Sequence, residues 1–276
     1  VQTAHVGPGL ALLKGLPRDQ LNEKEFRLLI WGIGLHLGVP RPQGKATQYI
    51  SEVRNTGMNY RSAAGRGYNS NASLDFHCDG CDLALLACYN TAKSGGQSII
   101  SSSVSAWRVL QTERPDLAEI ALQDFFFSRN NEEAEDEEPF YPQPLFDSED
   151  GNIFGKWNRN RVKNAQQLTG VPLLTAKQIE CTDFFDQILR RPELMYTMWL
   201  EPGDLQIINN HVLLHSRTAF EDYAEPERKR LLYRLWIAPP NSIRLPNSWK
   251  YFFRSVEPGS VRGGIRGHGY NLDCKT

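Results

Sequence analysis

Residues 74–81, with the sequence LDFHCDGC, place four candidate metal ligands within five positions. His77 and Asp79 are separated by one residue, and Cys78 and Cys81 are interleaved with them. In an extended chain, alternate side chains point to one face, so His77 and Asp79 lie together, roughly 7 Å apart along the backbone. The pattern fits half of a zinc site, an iron site on His77 and Asp79, or an ordinary polar turn.

A structural zinc site normally takes four cysteine or histidine ligands in two spaced pairs. Cys78 and Cys81 could form one pair, but Cys88, Cys181 and Cys274 each stand alone in the sequence. The sequence therefore argues against zinc. Cys78 and Cys81 are expected to be small buried residues.

Two histidines and one carboxylate form the ligand set of many non-haem iron enzymes, because three protein ligands leave three positions on the metal for a cosubstrate and O₂. His77 and Asp79 would be two of these ligands, and the second histidine must come from elsewhere in the fold. The segment INNHVLLH supplies His211 and His215. The residues alone leave both open.

The segment RLLYRLWI is predicted to be a strand that is largely apolar on both faces, yet it carries Arg230 and Arg234 on one face. A buried guanidinium is costly unless an anion meets it. The anion is either an acidic neighbour, such as Glu221 or Asp222, or a carboxylate of a bound small molecule, which arginine holds through two hydrogen bonds. Two such arginines, following a histidine that can bind metal, favour bound carboxylates.

Three ordered blocks between about Leu74 and Pro239 resemble the taurine dioxygenase (TauD/TfdA-like) group of Fe(II)/2-oxoglutarate-dependent oxygenases. LDFHCDGCD is similar to the family's His-X-Asp segment, and the Gly-Gly-Gln-Ser at 95–98 is similar to its Gly-Gly-Asp-Thr. WLEPGDLQIINNHVLLHS resembles the segment that carries the distal histidine, and RKRLLYR resembles the arginine motif.

The resemblance implies an enzyme that uses Fe(II), 2-oxoglutarate and O₂. The implied metal ligands are His77, Asp79 and His215. The implied fold is α+β, with a double-stranded β-helix (jelly roll) core and flanking helices, in a single domain over residues 1–276.

The resemblance also implies roles for three further side chains. Arg230 would hold the distal carboxylate of 2-oxoglutarate, with a hydroxyl contributed by Ser98. Arg234 would bind an acidic group of the primary substrate, as the matching position does in some members. Ser98 and Asn209 depart from the family pattern, which has threonine and, commonly, aspartate at these positions.

The substrate is expected to be a small carboxylate-bearing molecule, such as an amino acid or an intermediate of secondary metabolism. Hydroxylation, desaturation and oxidative cyclisation all stay open. The segment Asn55–Asn71 is either a pocket-lining loop, to which Arg61 and Arg66 would add positive charge, or a plain surface loop. The acidic run at 132–138 (EEAEDEE) is predicted to be a solvated loop, because its charges repel one another.

Helix and strand signals surround these motifs. A helix is predicted from Asn22, whose capping box with Glu25 marks its start, and Pro40 and Pro42 are expected to end it. Two further helical zones are predicted at 104–123, interrupted at Pro115, and from Thr175 to Pro192. Strands are predicted at 82–89, at 97–103, and in the segments LMYTMWL, LQIINNHVLLH and RLLYRLWIA.

Composition excludes several classes of partner. The net charge of −1 provides no field that would draw the protein to nucleic acid or to a membrane. No apolar run approaches the roughly 20 residues that a bilayer span needs. Five cysteines, an odd number, argue for a reducing compartment, so a soluble, cytoplasmic protein is expected.

Two alternatives belong to other functional classes. One is a catalytically silent jelly-roll module that binds a small molecule without metal; His77, Asp79, His215 and Arg230 argue against it because all are present. The other is a zinc or manganese hydrolase, which would leave the two buried arginines unexplained. The sequence does not predict an oligomeric state.

Overall fold

The computed structural model describes residues 2–5, 7–58 and 67–267. The strands of these residues are β1 Leu10–Leu13, β2 Val39–Arg41, β3 Ile50–Val53, β4 Leu83–Asn90, β5 Ser94–Gly95, β6 Ser98–Ser102, β7 Asp124–Ser128, β8 Phe140–Pro144, β9 Phe146–Glu149, β10 Asn152–Gly155, β11 Met195–Met198, β12 Leu205–Asn209, β13 Leu213–Arg217, β14 Phe220–Glu221 and β15 Leu231–Ala238. The α-helices are α1 Gln2–His5, α2 Glu23–Leu37, α3 Ser103–Glu113, α4 Pro115–Ala121, α5 Arg159–Ala165, α6 Ala176–Leu189 and α7 Lys250–Phe253.

The three predicted helical zones are confirmed. Asn22 caps α2 as expected: its side chain accepts from the Glu25 backbone N–H, and the Glu25 carboxylate accepts from the Asn22 backbone N–H. The expected stop at the prolines is wrong, because α2 already ends at Leu37 and is capped by Gly38 (φ 157°). A Cβ on Gly38 would lie 2.4 Å from the Ala238 carbonyl oxygen, so only glycine allows this approach to β15.

Two antiparallel sheets form the centre of the fold. The larger has the order β1-β12-β4-β15-β2, with β3 also paired to β15, and the smaller has the order β11-β6-β13. Apolar residues from both sheets, among them Cys88, Ile100, Leu213 and Leu232, pack into one buried cluster. This arrangement is a jelly roll with flanking helices, so the predicted α+β fold class is confirmed.

The other face of the larger sheet packs against α2 through residues such as Phe26, Ile30 and Leu235. A further buried cluster packs α3, α4 and α6 against strands β7–β10. Trp107, Phe146 and Phe185 are among its residues. Helices therefore cover the outside of the sheets and leave the space between the sheets for a site. Among the described helices, none combines the length and apolar character needed to cross a bilayer.

The segment LQIINNHVLLH is not one strand, as predicted, but two. β12 pairs with β4 in the larger sheet, and β13 pairs with β6 in the smaller one. The chain changes sheets at residues 210–212, where the Asn209 side chain accepts from the His211 backbone N–H at 3.0 Å. His211 and His215 therefore lie in different surroundings.

The expectation of a solvated loop at 132–138 is wrong in part. The Glu137 side chain is nearly buried and lies 3.2 Å from the Arg254 guanidinium, and Glu132 lies 3.5 Å from that of Arg161. These arginines offset the repulsion that the sequence pattern implied. Asp136 is exposed, as expected.

Candidate active site

His77 and His215 are held together by their backbones. The His77 N–H donates to the His215 carbonyl at 3.0 Å, and the His215 N–H donates to the His77 carbonyl at 2.8 Å. His77 also forms an isolated bridge with Asn158, so the chain is extended at His77 without belonging to a strand. The backbones of β13 and of the loop before β4 are thus fixed against each other at this point.

Asp79 completes a compact group of candidate ligands. One ligand atom from each of His77, Asp79 and His215 lies within 4.8 Å of the other two. The His215 Nε2 is 3.9 Å from the Asp79 Oδ2, and the two imidazole rings have centroids 4.3 Å apart. The structure therefore brings together the three residues that the resemblance named.

His211 lies outside this group. Its Nε2 is 2.9 Å from the Asp82 Oδ1, and Asp82 also accepts hydrogen bonds from the Arg262 guanidinium, the shortest at 2.6 Å. All three residues are buried. His211 therefore belongs to a buried ion cluster and not to the candidate metal site.

The Asp79 carboxylate is held in the ionised form. Burial by itself would raise its pKa, but Arg234, His215 and His77 together with the Trp236 N–H hold the pKa at about 2. The Arg234 Nη1 lies 3.2 Å from Oδ1, and the Trp236 Nε1 donates to Oδ2 at 2.9 Å. A carboxylate that stays charged is what a divalent cation requires.

The imidazoles are held neutral. Burial lowers the pKa of His77, and burial together with the neighbouring His77 lowers the pKa of His215 to about 3. The His77 Nδ1 lies 2.9 Å from the Asp75 carbonyl oxygen, which can only accept, so Nδ1 carries the proton and Nε2 keeps its lone pair. Two neutral imidazoles and one carboxylate fit Fe(II).

Arg230 has a buried guanidinium without an acidic partner among the described residues. It is 6% exposed, and its Nη1 has no hydrogen-bond acceptor there. Asp222 accepts from the Arg230 backbone N–H and not from the guanidinium. Burial lowers the pKa of Arg230 to about 10, which is the penalty expected of a cation whose anion is supplied from outside.

Ser98 lies in the same cavity wall as Arg230. Its hydroxyl donates to the Gln206 Oε1 at 3.0 Å, and the Gln206 Nε2 contacts the Met198 sulfur at 3.2 Å. A carboxylate bound at Arg230 would compete with Gln206 for the Ser98 proton. Gln206 could not be predicted from the sequence, because a glutamine in an apolar strand carries no motif.

Arg234 already has partners within the protein. Besides Asp79, its Nε donates to the Gln43 Oε1 at 2.8 Å, and its guanidinium lies over the rings of Tyr68 and Trp236. Arg234 also lines the cavity. The anion for Arg234 was expected to be either an acidic side chain or a carboxylate of a bound small molecule. The structure shows an acidic side chain, that of Asp79.

Sequence reasoning missed two polar neighbours of the site. The Asn210 Oδ1 accepts from the Asp79 backbone N–H at 2.9 Å, whereas the family resemblance pointed only to Asn209. Arg217 is buried, lines the cavity and donates to the Ser70 carbonyl at 2.8 Å. Strand alternation could have found Arg217, which lies two positions after His215 and so on the same face.

Cys78 and Cys81 are buried thiols, as expected. The Cys78 Sγ lies 3.6 Å from the Trp157 carbonyl, and the Cys81 Sγ accepts from the Asn210 side chain. Neither belongs to the group of candidate ligands.

One cavity joins these side chains. It holds about 1190 Å³ of empty space, counting its open mouth, and its wall includes the three candidate ligands, Ser98, Arg217, Arg230 and Arg234. Tyr68, from the predicted loop Asn55–Asn71, and Trp236 line it too, but Arg61 and Arg66 lie outside the described residues. Trp157 and Phe76 are not part of this wall and belong to the buried core.

Comparison with known proteins agrees with this geometry. The family model "Taurine catabolism dioxygenase TauD, TfdA family" matches residues 1–236. A relative from Streptomyces rubellomurinus, FR-33289 synthase, is 31% identical over 252 residues, which cover 90% of this chain and 74% of the relative.

Solved structures share the fold. An asparagine oxygenase in complex with Fe(II), 2S,3S-3-hydroxyasparagine and succinate superposes with a TM-score of 0.63 at 16% identity, over 83% of this chain and 74% of that one. The non-heme iron oxygenase OrfP in complex with Fe and alpha-ketoglutaric acid gives 0.59 at 14% identity, over 83% and 75%. The chain therefore belongs to the TauD/TfdA family and is a non-haem iron dioxygenase that uses Fe(II), 2-oxoglutarate and O₂.

Proposed function

We propose that His77, Asp79 and His215 bind the iron and that Arg230 binds the distal carboxylate of 2-oxoglutarate. The observation that carries this proposal is the pairing, in one cavity, of a deprotonated three-ligand group with a buried guanidinium that has no acidic partner among the described residues. Such a guanidinium gains most from a carboxylate that arrives with the cosubstrate.

Each residue then has a defined task. His77, Asp79 and His215 hold the metal on one side and leave its other positions to small molecules. Arg230, with the Ser98 hydroxyl, sets the orientation of 2-oxoglutarate. When bound, Fe(II) with 2-oxoglutarate and O₂ supplies an oxidant that removes hydrogen from the substrate, with succinate and CO₂ as coproducts. The buried walls keep bulk water from this oxidant.

The primary substrate in this proposal is a small molecule with a carboxylate, such as an amino acid, that belongs to secondary metabolism. The bound hydroxyasparagine of the asparagine oxygenase supports an amino-acid scaffold. The name of the Streptomyces relative, a synthase of one compound, supports a biosynthetic role. Arg234 is the proposed contact for the substrate carboxylate, and the oxidation is a hydroxylation, a desaturation or an oxidative cyclisation.

The proposal includes a single domain over residues 1–276, which the family match to residues 1–236 supports. The proposed activity requires neither nucleic acid nor a membrane as a partner. A catalytically silent binding module is the alternative, and it is an outcome of the test.

The test measures succinate formed from 2-oxoglutarate in the presence of Fe(II) and O₂. Free amino acids and their decarboxylated amine analogues are added in matched pairs. The proposal predicts that one or more carboxylate-bearing compounds raise succinate release and that the matched amines do not. Equal stimulation by both members of every pair would contradict a carboxylate contact. No succinate under any condition, from folded protein, would favour the silent module.

A further inference from the structure

Lys156 places an ammonium group in the wall of the cavity. The residue as a whole is only 4% exposed. Within residues 2–5, 7–58 and 67–267, its Nζ has no hydrogen-bond or ion-pair partner, and it lies 4.8 Å from the ring centroid of Phe252 and 5.7 Å from that of Phe253. Aromatic faces offset only part of the cost of burying a cation. An anion that enters the cavity can therefore meet this ammonium group.

The backbone places Lys156 beside the candidate metal ligands. Asn158 is bridged to His77, and the Trp157 carbonyl accepts from the Cys78 backbone N–H at 3.0 Å. Because side chains alternate along an extended chain, Lys156 and Asn158 point to one face. Both residues line the cavity.

Tyr141 adds a second polar group without a partner at the same wall. It is 2% exposed, and its hydroxyl has no hydrogen-bond partner among the described residues. Its ring packs on Phe252 with centroids 5.4 Å apart, and Lys156 contacts that same ring. An ammonium and a phenol O–H thus border the cavity together, and both can donate to an anionic oxygen.

Lys156 and Arg230 lie at separate places on the cavity wall. Arg230 directly precedes β15, and Arg234, which contacts Asp79, and then Trp236 follow along that strand. Phe252 lies next, because a Cβ on Gly80 would be 2.4 Å from its Cζ and 3.5 Å from the Trp236 ring. Lys156 packs on the same Phe252 ring. A ligand at Lys156 would therefore not occupy the position of 2-oxoglutarate.

We propose that Lys156, assisted by the Tyr141 hydroxyl, binds an oxyanion group of the primary substrate, either a carboxylate or a phosphoryl group. The proposal deepens the proposed function and rests on it, since it takes the cavity as the active site. It adds a second cationic contact for the substrate to Arg234, whose guanidinium is shared with Asp79. Substrate and 2-oxoglutarate then bind at two separate cationic positions in one cavity.

The test is anaerobic calorimetric titration of the protein loaded with Fe(II) and 2-oxoglutarate, with acetate and with inorganic phosphate in separate runs. One equivalent of one of these anions is expected to bind, and the anion that binds better identifies the group. Lys156→Met should weaken binding at least about tenfold, because a charge-assisted hydrogen bond is lost. Tyr141→Phe should weaken it less, about fivefold. Lys163→Met, an exposed lysine of α5, is the matched control and should change nothing.

Unchanged affinity in Lys156→Met, or no binding of either anion by the wild-type protein, would overturn the proposal. So would loss of binding in Arg234→Gln with retention in Lys156→Met. If Lys156→Met does not fold, Lys156→Gln takes its place. The visible absorption of the Fe(II)–2-oxoglutarate complex is recorded in every sample: its absence in the wild type would reject the proposed function, whereas its presence with unchanged anion binding rejects only the role of Lys156.

Discussion

The Arg234 guanidinium lies 3.2 Å from the Asp79 carboxylate, so the arginine proposed to hold substrate is ion-paired with a proposed iron ligand. Both side chains are buried. Arg234 therefore stabilises the charged form of Asp79 and fixes its position. A substrate carboxylate at Arg234 would have to share the guanidinium with Asp79.

Arg234→Gln separates these two roles, since glutamine keeps hydrogen-bonding capacity and loses the charge. We expect Fe(II) and 2-oxoglutarate affinities to stay within about threefold of wild type, because the Trp236 N–H still donates to Asp79. Oxidation of the primary substrate should be lost or uncoupled from succinate formation. A roughly tenfold drop in Fe(II) affinity with normal coupling would instead make Arg234 a positioning residue for Asp79 alone.

Arg230→Ala should raise the concentration of 2-oxoglutarate that the enzyme requires. Loss of a buried, charge-assisted pair costs about 2–5 kcal/mol, at least about 30-fold in affinity. Ser98→Ala should cost about 1 kcal/mol, because one neutral donor is removed. The measurement is 2-oxoglutarate binding under anaerobic conditions.

Arg228→Ala is the control for that measurement, since Arg228 is on the same segment and is exposed. Its affinity for 2-oxoglutarate should equal that of wild type. If Arg230→Ala also matches wild type, Arg230 does not belong to the cosubstrate site.

His215 and His211 should differ sharply when each is replaced by alanine. His215→Ala should abolish Fe(II) binding in a folded protein, as should His77→Ala and Asp79→Ala. His211→Ala should keep Fe(II) binding but lower the free energy of unfolding by about 1–3 kcal/mol, because Asp82 loses a buried partner. Chemical denaturation and metal titration of the same samples give both values, and the reverse pattern would show the ligand assignment to be wrong.

The metal-free protein should lose stability as the pH falls. Burial and the neighbouring His77 hold the pKa of His215 at about 3, well below its ordinary value of 6.5. Between these values the unfolded chain binds a proton that the folded chain does not, so acid favours unfolding. His215 alone should contribute about 1.4 kcal/mol per pH unit.

Urea denaturation of metal-free wild type and His215→Asn, at about pH 6 and about pH 5, measures this contribution. The wild type should show the steeper loss of stability. Equal pH dependence in the two proteins would mean that His215 is not held neutral in the folded state.

The sequence predicted the fold class and the composition of the candidate site because each rested on an ordered pattern of residues. The positions of His77 and Asp79 followed from chain alternation, although no strand forms there: the backbone pair with His215 imposes the geometry instead. His211 and His215 could not be separated by periodicity, since the change of sheet at residues 210–212 depends on tertiary pairing.

Local signals also failed where the decisive contacts are distant in sequence. Arg234 and Asp79 are 155 positions apart, so no spacing rule predicts their ion pair. Lys156 carries no motif, and only the packed structure shows that it lines the same cavity as the candidate ligands. Gly38 ends α2 because of its approach to Ala238, a contact that the sequence does not encode locally.

The most direct test of the account is the visible spectrum of the protein mixed anaerobically with Fe(II) and 2-oxoglutarate. Wild-type protein and His211→Ala should each develop the weak charge-transfer band of the iron–2-oxoglutarate chelate, and His215→Ala should not. Absence of the band in folded wild-type protein, or its presence in His215→Ala together with its loss in His211→Ala, would contradict the assignment of His77, Asp79 and His215 as the iron site.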